Sequence, residues 1–269
     1  MADSLRTILP LREQGTGAPL FAVHPASGLS WKYAVLLQHL SSRRPLLGLQ
    51  MPGIAPDQPE PPTAGTIEEL LDSYVGAMRE VQPHGPYHLM GWSFGGRLAQ
   101  HLAARLRSSG EEVALLVVLD AYPTRESALA GVAGGDAMWR GLLDANGIAA
   151  PADVELDVDA VRRLLAEVDN PLADVPVTAV ERMVRRFVRL GELLDATPVP
   201  TFDGDLHVVE ATREIPADRP SPSAWEAHVS GEVTSSRVGV RHSDMLADEA
   251  MPELAPVLDA LLGRDEPRA

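Results

Sequence analysis

The stretch YHLMGWSFGG, residues 87–96, decides the fold of this chain. It begins as a short apolar strand, passes through Gly-Trp-Ser-Phe-Gly and leads into a helix predicted over 97–109. The pattern G-x-S-x-G is typical of a turn between strand and helix that exposes its serine at the carboxyl edge of a sheet. Glycines two residues to either side relieve this crowded turn. Ser93 is therefore the predicted nucleophile, the alternative being a bystander serine in a glycine-rich turn.

Short apolar runs and amphipathic stretches alternate on both sides of this turn. Strands are predicted at 19–24, 44–51, 87–91, 113–119, 206–210 and 236–240. Helices are predicted at 31–40, 66–81, 97–109, 177–195 and 251–262. Thr66 and Glu69 have the spacing of a capping box, which marks the start of the second helix. The alternation predicts the α/β class and an α/β-hydrolase fold, with a mostly parallel sheet covered on both faces.

The alternation breaks between about residues 124 and 200. This region contains no convincing strand, only helical stretches separated by glycine and proline. It is predicted to be a helical insertion, placed where it could cover an active site. Residues 1–17 are predicted to be an N-terminal linker or edge segment, and 18–269 a hydrolase domain that contains the insertion.

Composition excludes several classes of function. The chain has 269 residues, a formal net charge of −15 and no cysteine. The negative charge argues against nucleic acid and against an anionic membrane surface. The absence of cysteine excludes disulfides, thiolate metal sites and a cysteine nucleophile. No signal peptide or apolar run of membrane-spanning length is visible, so we expect a soluble, cytoplasmic protein that requires no metal.

A serine hydroxyl needs a base to take its proton, and a histidine is the usual choice. His242 lies in VGVRHSDML, residues 238–246, after the last predicted strand and before the last helix. His24 ends the first predicted strand and could line the site. The remaining candidates fall in turns, in strands or within a helix and are more typical of packed or solvated positions: His84, His88, His101 and His207. His242 is the predicted base.

The base needs a carboxylate to fix its tautomer and to stabilise the imidazolium. Asp120 directly follows the apolar run ALLVVL, at the strand end where open α/β sheets place their sites. We predict Asp120 as the acid. The alternative carboxylates follow the later strand: Glu210, Glu214 and Asp218.

The tetrahedral intermediate of acyl transfer needs two backbone N–H donors. One is expected at Phe94, directly after the nucleophile. The other is expected in the loop HPASG, residues 24–28, where Ala26 is the first candidate and Ser27 the alternative.

Four motifs together resemble the thioesterase domains that end nonribosomal peptide synthetases, which have polyketide synthase relatives. They are FAVHPASG (21–28), GWSFGG (91–96), LLVVLDAYP (115–123) and RHSDML (241–246). The resemblance extends over about 8–262, except for the details of the insertion. The segment ILPLRE, 8–13, also resembles the link between such a domain and its preceding carrier domain.

The resemblance implies a serine nucleophile at Ser93, an acid at Asp120, a base at His242 and oxyanion donors at Ala26 and Phe94. It also implies a substrate that an upstream carrier domain delivers as a thioester on its phosphopantetheine arm, with no separate cofactor. The insertion then corresponds to a lid over the acyl chain. Release would occur by hydrolysis or by macrocyclisation, through an acyl-enzyme.

Two other functions compete with terminal release. A freestanding editing thioesterase would clear stalled carriers, but its acid more often follows the later strand, which argues against it here. A catalytically inactive α/β-hydrolase scaffold would bind an acyl ligand or partner, but it would not need the three catalytic residue types in order.

One helix of the insertion carries a basic stripe. Its arginines have helical spacings of three, four and seven: Arg182, Arg185, Arg186 and Arg189. A solvated helix face is the simpler interpretation. Docking of an acidic carrier domain or of the phosphopantetheine phosphate is the alternative.

Overall fold

Residues 5–54, 65–123, 136–145, 148–151, 153–168 and 170–263 are described by a computed structural model. Its centre is a sheet of seven strands in the order β1-β3-β2-β4-β5-β6-β7. The strands are β1 (Ile8–Arg12), β2 (Leu20–Val23), β3 (Leu46–Leu49), β4 (Tyr87–Trp92), β5 (Val113–Leu119), β6 (Leu206–Ala211) and β7 (Val233–Val238). Only β1 runs antiparallel to its neighbour, and the other pairings are parallel. The fold is that of an α/β-hydrolase, as the sequence predicted.

Helices cover both faces of the sheet because the strand residues alternate between two apolar clusters. Their bounds are α1 (Leu36–His39), α2 (Ile67–Val81), α3 (Phe94–Ser108), α4 (Asp136–Ala145), α5 (Val158–Glu167), α6 (Val177–Ala196) and α7 (Met251–Leu262). Phe21 and Val23 face the cluster that includes α2, α3 and the insertion helices α4 to α6. Leu20 and Ala22 face the cluster formed with α1 and α7.

The observed elements agree with the predicted ones in kind and differ at some ends. α3 begins at Phe94, directly after Ser93, three residues before its predicted start. β7 ends at Val238 instead of reaching 240. The helix predicted at 31–40 consists of a 3-10 turn at Trp31–Val35 followed by the single turn of α1. The predicted capping box of α2 is present, with Thr66 and Glu69 bonding each other's backbone N–H.

The segment before residue 18 contributes β1, which pairs with β3 at the edge of the sheet. An edge strand was one of the two forms that the sequence allowed. The domain boundary at residue 18 and the lid role of the insertion stay predictions. The first part of the predicted insertion, 124–135, lies outside the described residues.

α6 packs in the apolar cluster of α2 and α3 and approaches the elements around Ser93 at two further points. Arg97 in α3 is 3% exposed, and its Nη1 donates to Asp195 Oδ1 near the end of α6 over 2.8 Å. The Met183 side chain lies 3.5 Å from where a Cβ of Gly28 would stand, in the loop after β2. The longest insertion helix therefore packs against both the helix and the loop that border Ser93.

Candidate active site

Ser93 lies on a strained turn between β4 and α3. Its φ of 57° and ψ of −128° are unusual for a residue with a side chain. A Cβ on Gly95 would lie 2.5 Å from the carbonyl oxygens of Val23 and His24, so glycine is required where the turn meets the end of β2. Tyr33 braces the turn, since its hydroxyl donates to Val23 O and accepts from the Trp92 N–H, both over 2.8 Å.

The structure brings Ser93, His242 and Asp120 together from three separate loops. His242 Nε2 lies 2.9 Å from Ser93 Oγ, and His242 Nδ1 lies 2.8 Å from Asp120 Oδ2. A carboxylate only accepts hydrogen bonds, so Nδ1 carries the proton and Nε2 is left to accept from the serine hydroxyl. This is the arrangement of a nucleophile, a base and an orienting acid.

Asp120 is buried at the end of β5, in a left-handed backbone conformation with a φ of 46°. Its backbone N–H donates to Val209 O in the neighbouring strand β6 over 2.7 Å. Of its two side-chain oxygens, Oδ2 faces His242. Oδ1 lies 3.2 Å from each of three donors, the Tyr122 hydroxyl, the Ala211 N–H and Arg219 Nη1.

The loop after β2 runs beside the nucleophile turn, because β2 pairs with β4 up to Val23 and Gly91. It contains Ala26, which is half-buried, and Ser27, whose hydroxyl bonds within the loop to Leu29. Phe94 is the first residue of α3. Ala26 and Phe94 thus flank Ser93 as predicted donors, and their oxyanion role stays a prediction.

His24, the first residue of this loop, holds it through two hydrogen bonds and one ring contact. Its Nδ1–H donates to Pro25 O over 2.8 Å, which leaves Nε2 to accept from the Tyr74 hydroxyl over 2.6 Å. Its ring stacks on Phe94, with centroids 6.4 Å apart. Complete burial lowers the pKa of His24 to about 4, so the imidazole is neutral at physiological pH. His24 is thus a structural part of the loop after β2.

Trp92 connects the nucleophile turn to the loop of the base. Its indole N–H donates to His242 O over 3.1 Å, and the two rings lie 5.7 Å apart. Lys32, the only lysine of the chain, places its ammonium 5.2 Å from the centre of the Trp92 ring. Burial lowers the pKa of Lys32, and Asp244 partly offsets this by raising it.

The alternative acids lie elsewhere. Glu214 is an exposed side chain 3.9 Å from Arg241, and Asp218 is exposed. Glu210 is buried, but it contacts Arg219 and Arg237.

The other histidines have partners or surroundings of their own. His207 bonds to Thr234 and Ser236 between β6 and β7. His84 is exposed near Glu111, and His88 is buried in β4. His101 is buried in α3, where burial lowers its pKa to about 4.

The basic stripe of α6 is partly neutralised by the helix itself. Arg185 lies 3.9 Å from Glu181, and Arg189 lies 3.2 Å from Glu192. Both arginines are exposed, whereas Arg182 and Arg186 are half-buried. The exposed half of the stripe resembles an ordinary solvated helix face with ion pairs between successive turns.

The described residues form neither a metal-binding cluster nor a membrane-spanning helix. Within them, no cluster of three or more histidine, aspartate or glutamate side chains could hold a metal ion. No helix among them is both long and apolar enough to cross a membrane.

Sequence arguments missed the residues that support the site. Tyr33 and Arg219 lie outside the four motifs, and Arg219 is 99 residues from Asp120. Tyr122 lies within LLVVLDAYP, two residues after Asp120, but was given no role. For Trp92 a signal was visible in the sequence, because this aromatic residue lies within GWSFG, next to Ser93. Arg219 gave no signal, since a single arginine in a loop rich in proline is common.

Known proteins share the fold and the family of this chain. The family model of the thioesterase domain matches residues 18–262. A dimodular nonribosomal peptide synthase of Bacillus subtilis is 33% identical over 260 residues, covering 95% of this chain and 11% of the relative. Enterobactin synthase component F of Escherichia coli K12 is 34% identical over 258 residues, covering 96% and 18%. The chain therefore spans less than a fifth of the length of these relatives.

Solved structures show the same fold. The thioesterase domain of NocB, in covalent complex with a fluorophosphonate nocardicin G analogue, is 25% identical with a TM-score of 0.66, covering 96% of this chain and 100% of that one. A four-domain nonribosomal peptide synthetase, holo-AB3403, is 24% identical with a TM-score of 0.78, covering 97% and 20%.

The fold and the geometry of the site place this chain in the class of α/β-hydrolases with a serine in the nucleophile turn. Within that class, the chain belongs to the thioesterase domain family, and it is a hydrolase of thioesters.

Proposed function

We propose that this chain releases a peptidyl or acyl chain from the phosphopantetheine thioester of an upstream carrier domain, through an acyl-Ser93 intermediate. The observation that carries the proposal is the hydrogen-bonded series from Ser93 Oγ through His242 to Asp120. The dimodular nonribosomal peptide synthase and the four-domain nonribosomal peptide synthetase named above support the substrate class, since this chain resembles a part of each.

Acylation begins when His242 Nε2 takes the proton from Ser93 Oγ as the oxygen attacks the thioester carbonyl. Asp120 holds the opposite ring nitrogen and stabilises the imidazolium that forms. The N–H groups of Ala26 and Phe94 stabilise the oxyanion. Collapse of this intermediate breaks the C–S bond, and the departing pantetheine sulfur receives the proton from His242.

Deacylation needs a second nucleophile, activated by the same base. Water gives a free acid, and an amine or hydroxyl of the bound chain gives a macrocycle. The choice depends on exclusion of water and on the folding of the acyl chain. The helical insertion is the part of the protein that we propose as the lid, because α6 contacts both the loop of Ala26 and the helix of Ser93.

Covalent trapping tests the proposal directly. A fluorophosphonate should label the wild-type chain once, and peptide mapping should place the adduct on Ser93. Ser93→Ala should give no adduct, whereas Ser243→Ala, beside the base, should label as the wild type does. An unlabelled wild type would favour the inactive scaffold, and a persistent adduct on Ser93→Ala would refute the assignment of the nucleophile.

A second experiment separates the two modes of release. Mass spectrometry of the products from a synthetic peptidyl thioester distinguishes a linear acid from a ring, which differ by the mass of one water. Comparison of carrier-bound and small soluble thioesters then tests the carrier: a strong preference for the carrier-bound form supports an assembly-line partner, and equal turnover contradicts it.

A further inference from the structure

The proposed acid has a second polar partner besides the base. Arg219, in the segment after β6, places its Nη1 3.2 Å from Asp120 Oδ1. The same Nη1 donates to Ala211 O over 2.5 Å, at the end of β6. The guanidinium also lies over the Tyr122 ring, 5.5 Å from its centre. Arg219 therefore joins the ends of β5 and β6 at the acid.

Burial strengthens the interaction between the charges of Arg219 and Asp120. The Arg219 side chain is 13% exposed and that of Asp120 is 4% exposed, so water competes little for either charge. Of the two carboxylate oxygens, Oδ2 is committed to His242 over 2.8 Å. The donors on Oδ1, which include Tyr122 and Ala211, fix the rotation of the carboxylate that directs Oδ2 at the imidazole.

A second buried carboxylate accompanies the arginine. Glu210 Oε2 lies 3.4 Å from Arg219 Nη2, and its side chain is 8% exposed. Arg219 thus lies between two buried acids and separates their charges. Arg237 Nε lies 3.5 Å from Glu210 Oε1, but its side chain is 77% exposed. Near the loop of the base, Asp244 accepts a hydrogen bond from Arg241 and partly offsets the lowering of the Lys32 pKa by burial.

We propose that Arg219 is a positioning residue for the triad, which orients the carboxylate of Asp120 toward His242. This inference rests on the proposed function, because it requires Asp120 to serve as the acid. Arg219 does not touch the substrate; it acts through the carboxylate. Its loss should therefore slow the chemical step and leave the binding of an inhibitor or substrate nearly unchanged.

Labelling kinetics of the full chain provide the test. Arg219→Ala should lower the limiting rate of Ser93 phosphonylation by a fluorophosphonate on the order of 100-fold, with little change in the concentration at half-maximal rate. The matched control is Arg237→Ala, because Arg237 lies 3.5 Å from the same Glu210 and is 77% exposed. It should label at the wild-type rate.

Chemical rescue separates positioning from folding. Millimolar guanidinium should restore most of the rate of Arg219→Ala, since it can refill the site between the two carboxylates, whereas methylammonium should not bridge them. Thermal unfolding under the same conditions shows whether each variant is folded at the assay temperature. A rate that follows only the loss of folded protein, without rescue, would overturn the inference.

A double-mutant cycle gives the second measurement. If Arg219 acts through Asp120, Arg219→Ala should cost little more in the Asp120→Asn background, whereas an independent role predicts additive losses. Additive losses would contradict the inference. Failure of the wild-type chain to label at all would instead refute the proposed function, so the two failures remain distinguishable.

Discussion

The sheet with its flanking helices and the helical insertion are held together in different ways. In the sheet, parallel strands deliver the nucleophile turn and Asp120 to one edge, and the following loops add the base. The insertion, from α4 to α6, shares the apolar cluster of α2 and α3 and adds specific attachments, such as the pair between buried Arg97 and Asp195. The sheet therefore positions the triad, while the insertion packs on the face of the sheet that α2 and α3 cover.

The largest expected effect concerns the sheet edge. Asp120→Asn should reduce turnover of a soluble thioester by roughly 10⁴-fold, because an amide no longer enforces the required histidine tautomer. Folding should remain intact, as circular dichroism and thermal unfolding would show. Glu214→Gln is the matched control at an exposed carboxylate. If that variant lost activity and Asp120→Asn kept it, the acid would be misassigned.

The next effect tests how tightly the sheet constrains the nucleophile turn. Gly95→Ala should destabilise the chain by about 3 kcal/mol, because its Cβ would meet two backbone carbonyl oxygens that cannot move freely. Gly76→Ala is the control, since a Cβ there meets nothing within 4 Å on an exposed turn of α2. It should stabilise the helix by about 0.8 kcal/mol. Denaturant unfolding measures both.

The attachment of the insertion is tested by Asp195→Ala. This change leaves the buried Arg97 guanidinium without its carboxylate and should cost about 3 kcal/mol. Asp72→Ala removes the half-exposed partner of Arg105 and should cost about 0.5 kcal/mol. Equal losses of stability in the two variants would show that α6 is not fastened to α3 by this pair.

The histidine contribution to an acid titration comes from outside the insertion, because residues 124–200 contain no histidine. The pKa of His24 is lowered from 6.5 to about 4 in the folded chain. The unfolded chain therefore binds more protons between these values, and the stability that neutral His24 provides is lost as pH falls from about 6.5 to about 4. The loss amounts to roughly 3 kcal/mol.

The measurement compares unfolding free energies of wild type and His24→Asn from pH 7 to pH 4. The variant should start lower, because it loses packing, and should show a shallower decline. His84→Asn, at an exposed histidine, should change the slope far less. Parallel curves for wild type and His24→Asn would mean that His24 does not carry this dependence.

Much of the sheet could be predicted from the sequence, since local patterns suffice there. The apolar run 113–119 matches β5 at both ends, and the GWSFG turn gives both the place and the local conformation of Ser93. Asp120 and His242 could be predicted because, in this fold class, the carboxyl ends of the parallel strands lie at the edge of the sheet that carries the site. Their distances depend on the tertiary structure, which the sequence alone does not reveal.

Other features could not be predicted, for physical reasons. α3 begins three residues early because the elbow continues directly into the helix, where Gly95 and Gly96 weaken the helical signal. Arg219 contacts the acid only because its loop folds back over β6. In the insertion, α6 could be recognised from its periodicity, but nothing local predicts that Asp195 will meet Arg97.

Because the chain has a single lysine, an amine-directed reagent can modify one side chain beside the active site selectively. Amine-directed reagents have one side-chain target here, Lys32, whose ammonium lies over the Trp92 ring beside the loop of His242. Its lowered pKa leaves more of the reactive free amine at mildly alkaline pH than an exposed lysine would have. A small fluorophore attached there would lie close to the loop of His242, without any engineered cysteine.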